Sequence, residues 1–570
     1  MNTVGRFYKV IIGFICLILP VIATGTDSGT DYRQKASVDL IEAAYNTGQI
    51  TGGDRLFYNL QTVFEPEKLP DEYRSETPGV IRSGTPFVNE ALDNWDLMSE
   101  TQQEAATAML ARPDNDSVYY SPDGKFAIHY DIEGLNGVPP EDSDADQVPD
   151  FVERVGIYAD SSYRYYRYDL GYYPPPSDGD SLYDIYILRI GNYYGTTVRE
   201  TAGDSSWSDF SSYIKIHNTF NFALPNDDPE GTVIGAQKVT CAHEYFHATQ
   251  LAYAYKSGVD LWWTEGSAVF FENEVFDEVN DHYYYLPYFF NYPDTFLIDT
   301  NVIPSALHNY STFVWPEYLA KRYGIGIIRS VWEYARYNNP LTSVNLALNP
   351  FGKNMQSAFP EFAVWNYFTG SRYNPAYHED GADYPLIVVA PVATECPFTN
   401  LTPIIPPDGL ASNYIMAYPD TTENGILVLK FDGENTVSWG FSYVVFEGEQ
   451  HEATIDCAVD YMGRTDCGIY DFLRYDSMSF IPCVVSQWQD DNNYVFNTEI
   501  HPFGDVDGSG EVNILDVTYL IKYLYRSGLP PKYDTRVADV NCSGAPNILD
   551  VSYLIYYLYH GGDAPCAYRP

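Results

Sequence analysis

The spacing of apolar residues changes several times along the chain, and each change predicts a different kind of element. Helical spacing comes first and predicts helices over 38–45 and 101–110. Short runs that mix aromatic and β-branched residues between turn-rich flanks then predict strands over 125–130, 183–190 and 212–217. The pattern next predicts a long helix over 232–255 and a second helix over 265–274. This part of the chain is therefore a small sheet followed by two helices.

The rest of the chain contains a further helical block, a region of alternating strands and a repeated tail. Residues His308 to Trp332 form another helical block, expected to pack against the two preceding helices. Alternating strands over 425–431 and 437–446 favour a β-sandwich of about a hundred residues. In the tail, a loop with the pattern Asp-Val-Asp/Asn recurs 34 residues later, and each copy precedes an apolar helix.

With 570 residues, the chain exceeds what one hydrophobic core holds, so several domains are expected. The predicted fold class is α+β multidomain, with a domain built on the small sheet and the two helices, a β-sandwich accessory module and a small all-α module in the tail. The predicted boundaries are 1–25 for a signal peptide, 26–115 for an N-terminal region or possible propeptide, 116–390 for the sheet-and-helix domain, 391–500 for the sandwich and 501–570 for the tail module.

Charge and the first residues narrow the functional class. The net charge of −46 repels phosphate backbones, which argues against nucleic acid as a partner. Basic residues at 6 and 9, an apolar run over 10–22 and small residues after it are typical of a signal peptide, and the run is too short for a membrane span. The sequence thus predicts a secreted, extracellular protein.

The strongest chemical signal is His243-Glu244-Tyr245-Phe246-His247. Four residues apart on a helix, the two imidazoles share one face and can bind one metal ion, and zinc prefers such nitrogen ligands with a carboxylate and a water. Glu265 is placed to be the third ligand if the second helix returns under the first. Glu244 lies beside the pair and can take a proton from water. The alternative is a helix with two hydrogen-bonded histidines and an ordinary glutamate.

Together with Trp262-Trp263-Thr264-Glu265-Gly266-Ser267-Ala268, this motif resembles the gluzincin metallopeptidases, and the whole chain more loosely resembles secreted bacterial metalloproteases with a terminal dockerin. The resemblance implies a zincin-like catalytic domain, zinc (Zn2+) on His243, His247 and Glu265, and Glu244 as the general base. Gluzincins also stabilise the oxyanion with a tyrosine or histidine, for which Tyr310 is the candidate and His308 the second choice. Glu272, on the face of Glu265, could orient a ligand histidine or be a surface carboxylate.

The repeated tail loops carry oxygen ligands at the spacing of a calcium site. The predicted calcium (Ca2+) ligands are Asp505, Asp507, Ser509, Glu511 (by its carbonyl) and Asp516 in the first loop, and Asp539, Asn541, Ser543 and Asp550 in the second. Two such loop–helix units resemble a type I dockerin, which implies docking onto a cohesin module of a scaffold or cell-surface protein. The resemblance thus implies a protein that is extracellular or attached to the cell surface through a scaffold. Positions 10 and 11 are the apolar pairs Ile514-Leu515 and Ile548-Leu549, so an intramolecular partner stays open. The alternative is a structural repeat without metal.

A second acidic run, 142–153, is a further calcium candidate. Its predicted ligands are Asp142, Asp144, Asp146, Asp150 and Glu153. Gln147 replaces the usual turn glycine, and a solvated acidic loop is the alternative.

Two functions are therefore compatible with the sequence. The first is a zinc peptidase that hydrolyses a protein or peptide substrate and is anchored through its dockerin. The second is an inactive, scaffold-bound adhesion or binding protein.

Region 26–115 contains no cysteine, so any latency must come from a carboxylate or from steric cover rather than from a thiolate on zinc. Cys241 is expected to be a buried thiol.

Overall fold

The computed structural model describes residues 36–75, 81–254, 260–298, 305–393, 395–448, 450–487 and 489–566. It shows a mixed α/β, multidomain chain, which confirms the predicted fold class at that level. The predicted signal peptide at 1–25 lies outside the described residues. Within the described ranges, no helix is both long and apolar enough to cross a membrane.

Four helices and one short strand form the N-terminal region: α1 Ser37–Asn46, α2 Gly52–Phe64, β1 Ile81–Ser83, α3 Thr85–Asp93 and α4 Glu100–Met109. Helix α2 begins where the Thr51 side chain accepts a hydrogen bond from the Asp54 amide at 3.1 Å, which satisfies an N-terminal donor. Leu56, Leu60 and Val88 build a core that continues onto Tyr186 and Tyr213 of the next region. The helical region is thus packed on the sheet that follows it.

That sheet and its crossing helix consist of β2 Ser117–Tyr120, β3 Phe126–Tyr130, α5 Asp150–Arg164, β4 Tyr183–Leu188, β5 Tyr193–Ala202 and β6 Phe210–His217. The strand order is β1-β5-β6-β4-β3-β2. Strands β3, β4 and β6 are mutually parallel, whereas β5 is antiparallel to β6. Strand β1 lies parallel to β5 at the sheet edge, so the N-terminal region contributes to this sheet.

Two helices carry the His-Glu motif and its partner: α6 Thr232–Leu251 and α7 Leu261–Val275. From Gly235 to Leu251 every residue of α6 is buried, as expected for a helix enclosed on all sides. The sequence placed Glu265 at the start of the second helix. In the structure that helix begins at Leu261, because the apolar Trp262 and Trp263 belong to its buried first turn.

Glycine 195 in β5 lets α6 lie close to the sheet. A Cβ atom at Gly195 would lie 2.8 Å from Cγ of Glu244 and 3.0 Å from Cγ2 of Thr240. Only a residue without a side chain fits between this strand and the motif helix.

Six more helices complete the helical layer: α8 Pro287–Phe290, α9 Ser305–Ser311, α10 Val314–Tyr323, α11 Gly326–Ala335, α12 Pro340–Leu348 and α13 Met355–Tyr367. The block predicted over His308 to Trp332 is therefore divided among α9, α10 and α11. Buried Trp315, Trp332 and Phe362 join these helices to the core around α6 and α7. The helical block does pack against the motif helices.

The next region contains β7 Val392–Ala393, β8 Ala411–Ser412, β9 Ile415–Ala417, β10 Ile426–Gly433, β11 Trp439–Glu447, β12 Gln450–Cys457, β13 Arg464–Tyr470, β14 Ser477–Val484 and β15 Tyr494–His501. One sheet has the order β13-β10-β15 and the other β12-β11-β14-β9-β7, with β8 on β14. Both sheets contribute to one core, with Leu427 and Phe496 from the first and Phe441 and Phe480 from the second. The Cys457–Cys467 disulfide joins β12 to β13.

The tail contains α14 Ile514–Tyr525 and α15 Ile548–His560 around a small core of Val506, Leu520, Val540 and Leu554. The Cys542–Cys566 disulfide ties the second loop to the last described residue.

Candidate metal centre

The two motif histidines and Glu265 meet at one point between α6 and α7. Nε2 of His243 lies 3.2 Å from Oε2 of Glu265, and Nε2 of His247 lies 3.3 Å from Oε1 of the same carboxylate. The ligand atoms of the three residues all lie within 4.8 Å of one another. All three side chains are buried, at most 3% exposed. The structure thus brings together the three residues predicted to bind zinc.

The donor set fits a zinc ion. Nε2 of His243, Nε2 of His247 and Oε2 of Glu265 are buried without a hydrogen-bond partner in the part of the chain that the structure describes. Buried polar atoms are normally satisfied, so three such atoms around one point need a common partner. Burial acts to raise the pKa of Glu265, but the two imidazoles lower it to about 2, so the carboxylate is ionised as a ligand must be.

A second set of contacts holds each histidine. Nδ1 of His243 donates to Oε1 of Glu272 at 2.6 Å, which leaves Nε2 unprotonated and directed at Glu265. Nδ1 of His247 donates to Oε1 of Gln250 at 3.0 Å, and Nε2 of Gln250 donates to the Thr264 carbonyl at 2.9 Å. Both rings are therefore fixed in the tautomer that offers Nε2 to a metal.

Glu272 is itself held by a buried cation. The Arg82 guanidinium, from β1, pairs with Glu272 and, at 2.6 Å, with Asp281. Arg82 and both carboxylates are buried. Glu272 is therefore a buried positioning carboxylate rather than a surface one.

Glu244 lies on α6 between the two histidines and contacts two hydroxyl groups. Its Oε2 accepts from Thr85 Oγ1 at 3.0 Å and from Thr197 Oγ1 at 2.8 Å, while Oε1 is buried with no hydrogen-bond partner among the described residues. Burial raises the pKa of Glu244 above its usual value. A carboxylate with a raised pKa beside a metal centre is suited to accepting and returning a proton.

Tyr310 borders the same cluster. Its ring centroid lies 6.1 Å from that of His243, and its hydroxyl accepts from the Ser83 amide at 3.1 Å. His308, the second candidate, is buried and its Nδ1 lies 3.2 Å from the Tyr288 carbonyl oxygen. The contacts therefore place Tyr310 at the centre.

Several residues at this centre were not predicted from the sequence. Gln250 lies three positions after His247, so helical spacing could have indicated it. Ser83, Thr85, Thr197, Arg82 and Asp281 reach the centre only through the tertiary fold, and no local pattern marks them.

The first tail loop folds around its own carboxylates. Asp505 accepts from the amides of Ser509 and Gly510, and Asp516 from those of Val506 and Asp507. Ligand atoms of Asp505, Asp507 and Asp516 lie within 4.8 Å of one another, and the Glu511 carbonyl lies 3.3 Å from the Ser509 hydroxyl.

The second loop repeats these contacts. Asp539 accepts from the amides of Ser543 and Gly544, and Asp550 from that of Asn541. Gly510 and Gly544, at loop position 6, both have positive φ angles, +94° and +108°.

In the loop over 142–153 the structure brings only part of the predicted set together. Ligand atoms of Asp142, Asp144 and Asp146 lie within 4.8 Å of one another. Asp150 instead accepts from the amide and hydroxyl of Ser143, which lowers the pKa of Asp150, and Glu153 lies within α5. The calcium assignment of this loop stays a prediction.

Comparison with known families matches residues 503–559 to the type I dockerin domain. This confirms the predicted dockerin, a domain that binds calcium and anchors its chain to a cohesin-bearing scaffold. The match also suggests an extracellular, scaffold-attached protein. No curated protein matches the chain.

Proposed function

We propose that the chain is a zinc-dependent peptidase that its dockerin anchors to a cohesin-bearing scaffold. One observation carries the proposal. Buried atoms of His243, His247 and Glu265 converge on one point and have no hydrogen-bond partner among the described residues. Glu244 lies on the same helix as the two histidines. This arrangement of ligands is supported by the His-Glu-x-x-His spacing on α6, by the position of α7 and by the histidine tautomers.

Zinc held by His243, His247 and Glu265 would supply Lewis-acid activation of water and of a carbonyl group. Glu244 would accept a proton from the attacking water and pass it to the leaving amine, since its Oε1 makes no hydrogen bond with the residues that the structure describes. The Tyr310 hydroxyl would donate to the carbonyl oxygen as negative charge develops there. The substrate class is a protein or peptide.

The second candidate function is an inactive, scaffold-bound binding protein. One observation favours it, namely that the whole centre is buried. A substrate cannot reach the centre in this conformation.

Zinc analysis combined with one substitution separates the two functions. We expect about one zinc per chain in the wild type and in Glu244→Gln. Glu244→Gln should lower cleavage of casein by roughly 10²–10⁴-fold, the usual contribution of a general base. Glu230→Gln, an exposed glutamate just before α6, is the control and should change neither quantity. Bound zinc without cleavage by either the intact or the proteolytically processed wild type would favour the binding protein.

A further inference from the structure

Residues 82–86 of the N-terminal region cover the candidate metal centre. The remaining cavity beside His247 and Glu265 has a volume of about 30 Å³, and Thr85 and Pro86 form one of its walls. Since one water molecule needs roughly 10–15 Å³ of such cavity space, this cavity holds about two water molecules. A peptide does not fit unless this segment moves.

The segment is held along the strand edge nearest the centre. Ser83 pairs with Gly195 of β5, and the Gly84 amide donates to the Gly195 carbonyl at 2.9 Å. Gly195 also lies against the Glu244 side chain. An extended substrate that paired with β5 at this point would have to displace β1.

The same segment engages both groups proposed to act on substrate. Thr85 donates its hydroxyl to Glu244, and that hydroxyl accepts from the Thr197 amide at 2.7 Å. The Ser83 amide donates to the Tyr310 hydroxyl. Glu244 and Tyr310 are thus both bonded to the cover.

Arg82 holds the covering segment, residues 82–86, in place through two ion pairs. Its guanidinium lies between the carboxylates of Glu272 and Asp281, with the rings of Tyr194 and Tyr285 at 5.7 and 5.1 Å. Withdrawing Arg82 would remove the arginine cation from two buried carboxylates, which is costly. The covering conformation of residues 82–86 is therefore stabilised by buried ion pairs.

We propose that residues 82–86 are an inhibitory segment, which blocks the peptidase site by strand pairing and by occupying Glu244 and Tyr310. This proposal rests on the proposed peptidase function. Inhibition by this segment requires no thiol, since 26–115 contains no cysteine. The turn after α4 is exposed at Ala111, Asp114 and Asp116, so a protease can reach the connection between the N-terminal region and the sheet.

Gly84→Val tests the proposal in the full-length protein. A Cβ at Gly84 would lie 2.8 Å from Cγ1 of Val63 and 3.2 Å from Cβ of Thr196, so the variant should lift the segment. Gly52→Ala, in the same region, meets only ordinary contacts from 3.7 Å outward and is the control. We expect zinc loss to a chelator and casein cleavage to rise about tenfold or more in Gly84→Val only, because both require the open state.

Thr85→Cys gives a second, spectroscopic readout that does not depend on displacing the segment, because Thr85 lines the cavity beside His247 and Glu265. With cobalt in place of zinc, a thiolate at position 85 should add a sulfur-to-metal charge-transfer band and slow metal loss. Ser99→Cys, at the exposed start of α4, should do neither. A Thr85→Cys protein without the band would count against this segment covering the metal.

The outcomes separate the two proposals. Equal zinc loss and equal cleavage in wild type and a folded Gly84→Val protein would overturn the inhibitory segment and leave the peptidase intact. Faster zinc loss without any cleavage would support the cover and overturn the peptidase. Absence of bound zinc in all variants would overturn both.

Discussion

The candidate zinc centre and the dockerin loops both collect oxygen or nitrogen ligands, but they are built in opposite ways. Each dockerin loop draws its ligands from consecutive residues, 505–516 or 539–550, and much of it is solvent-accessible. The zinc centre draws its ligands from α6 and α7 and its supporting contacts from β1, β5 and Asp281, and it is buried. A contiguous site carries its geometry in its sequence, whereas a dispersed site depends on the fold around it.

This difference sets how each region should respond to metal removal, and the largest effect is expected in the dockerin. At a calcium concentration of about 1,000 Kd, each loop should gain about 4 kcal/mol from binding. Calcium chelation should therefore lower the dockerin unfolding transition in calorimetry. Zinc chelation should leave the region around α6 and α7 folded, because its large apolar core does not depend on the metal.

Tryptophan fluorescence distinguishes the two regions, since the nine tryptophans all lie outside 503–566. A calcium-chelated protein that lost its tryptophan signal in the same transition would show that the regions unfold as one unit. Such coupling would pass through contacts between the tail and the sandwich, among them Phe503 and Val537 packed with Ile426 and Tyr470, and the Lys532–Asp466 ion pair.

An intermediate effect, on zinc affinity, is expected from substituting Glu272, whose carboxylate accepts a hydrogen bond from Nδ1 of His243. Glu272→Gln should lower zinc affinity roughly 10–100-fold, the usual loss when a supporting contact to a ligand histidine is weakened. Glu274→Gln is the matched control, because Glu274 lies on the same helix but accepts from the Tyr165 hydroxyl at 2.8 Å. Competition titration with a zinc indicator measures both. Equal affinities in the two variants would contradict the role of Glu272.

The smallest effect is expected in the acidic loop before α5. If that loop binds calcium as weakly as many extracellular sites do, Asp144→Asn should cost roughly 0.4–1.4 kcal/mol at 1 mM calcium. Calorimetric titration should also find one calcium fewer per chain than in the wild type. An unchanged stoichiometry would mean that Asp142, Asp144 and Asp146 form a solvated acidic loop.

The sequence was most informative where structure is local. The helix carrying His243 and His247 and both dockerin helices follow from spacing within one element. The prediction of Glu265 near the start of α7 succeeded in placing the carboxylate but missed the first turn, because a run of buried apolar residues does not show where a helix begins.

The cover over the centre was not predictable in the same way. Strand β1 has three residues, too few for an alternating pattern, and its pairing with β5 joins positions far apart in the chain. The partnership of Arg82 with Glu272 and Asp281 likewise exists only after folding. The absence of cysteine from 26–115 could exclude a thiolate but could not show that Ser83 and Thr85 contact Tyr310 and Glu244.

Anomalous diffraction at the zinc edge can show whether His243, His247 and Glu265 bind one zinc ion. We expect a single strong peak within bonding distance of Nε2 of His243, Nε2 of His247 and the Glu265 carboxylate, and its loss in Glu265→Ala. A zinc-supplemented crystal with no peak there, or with a peak that Glu265→Ala leaves unchanged, would contradict the account.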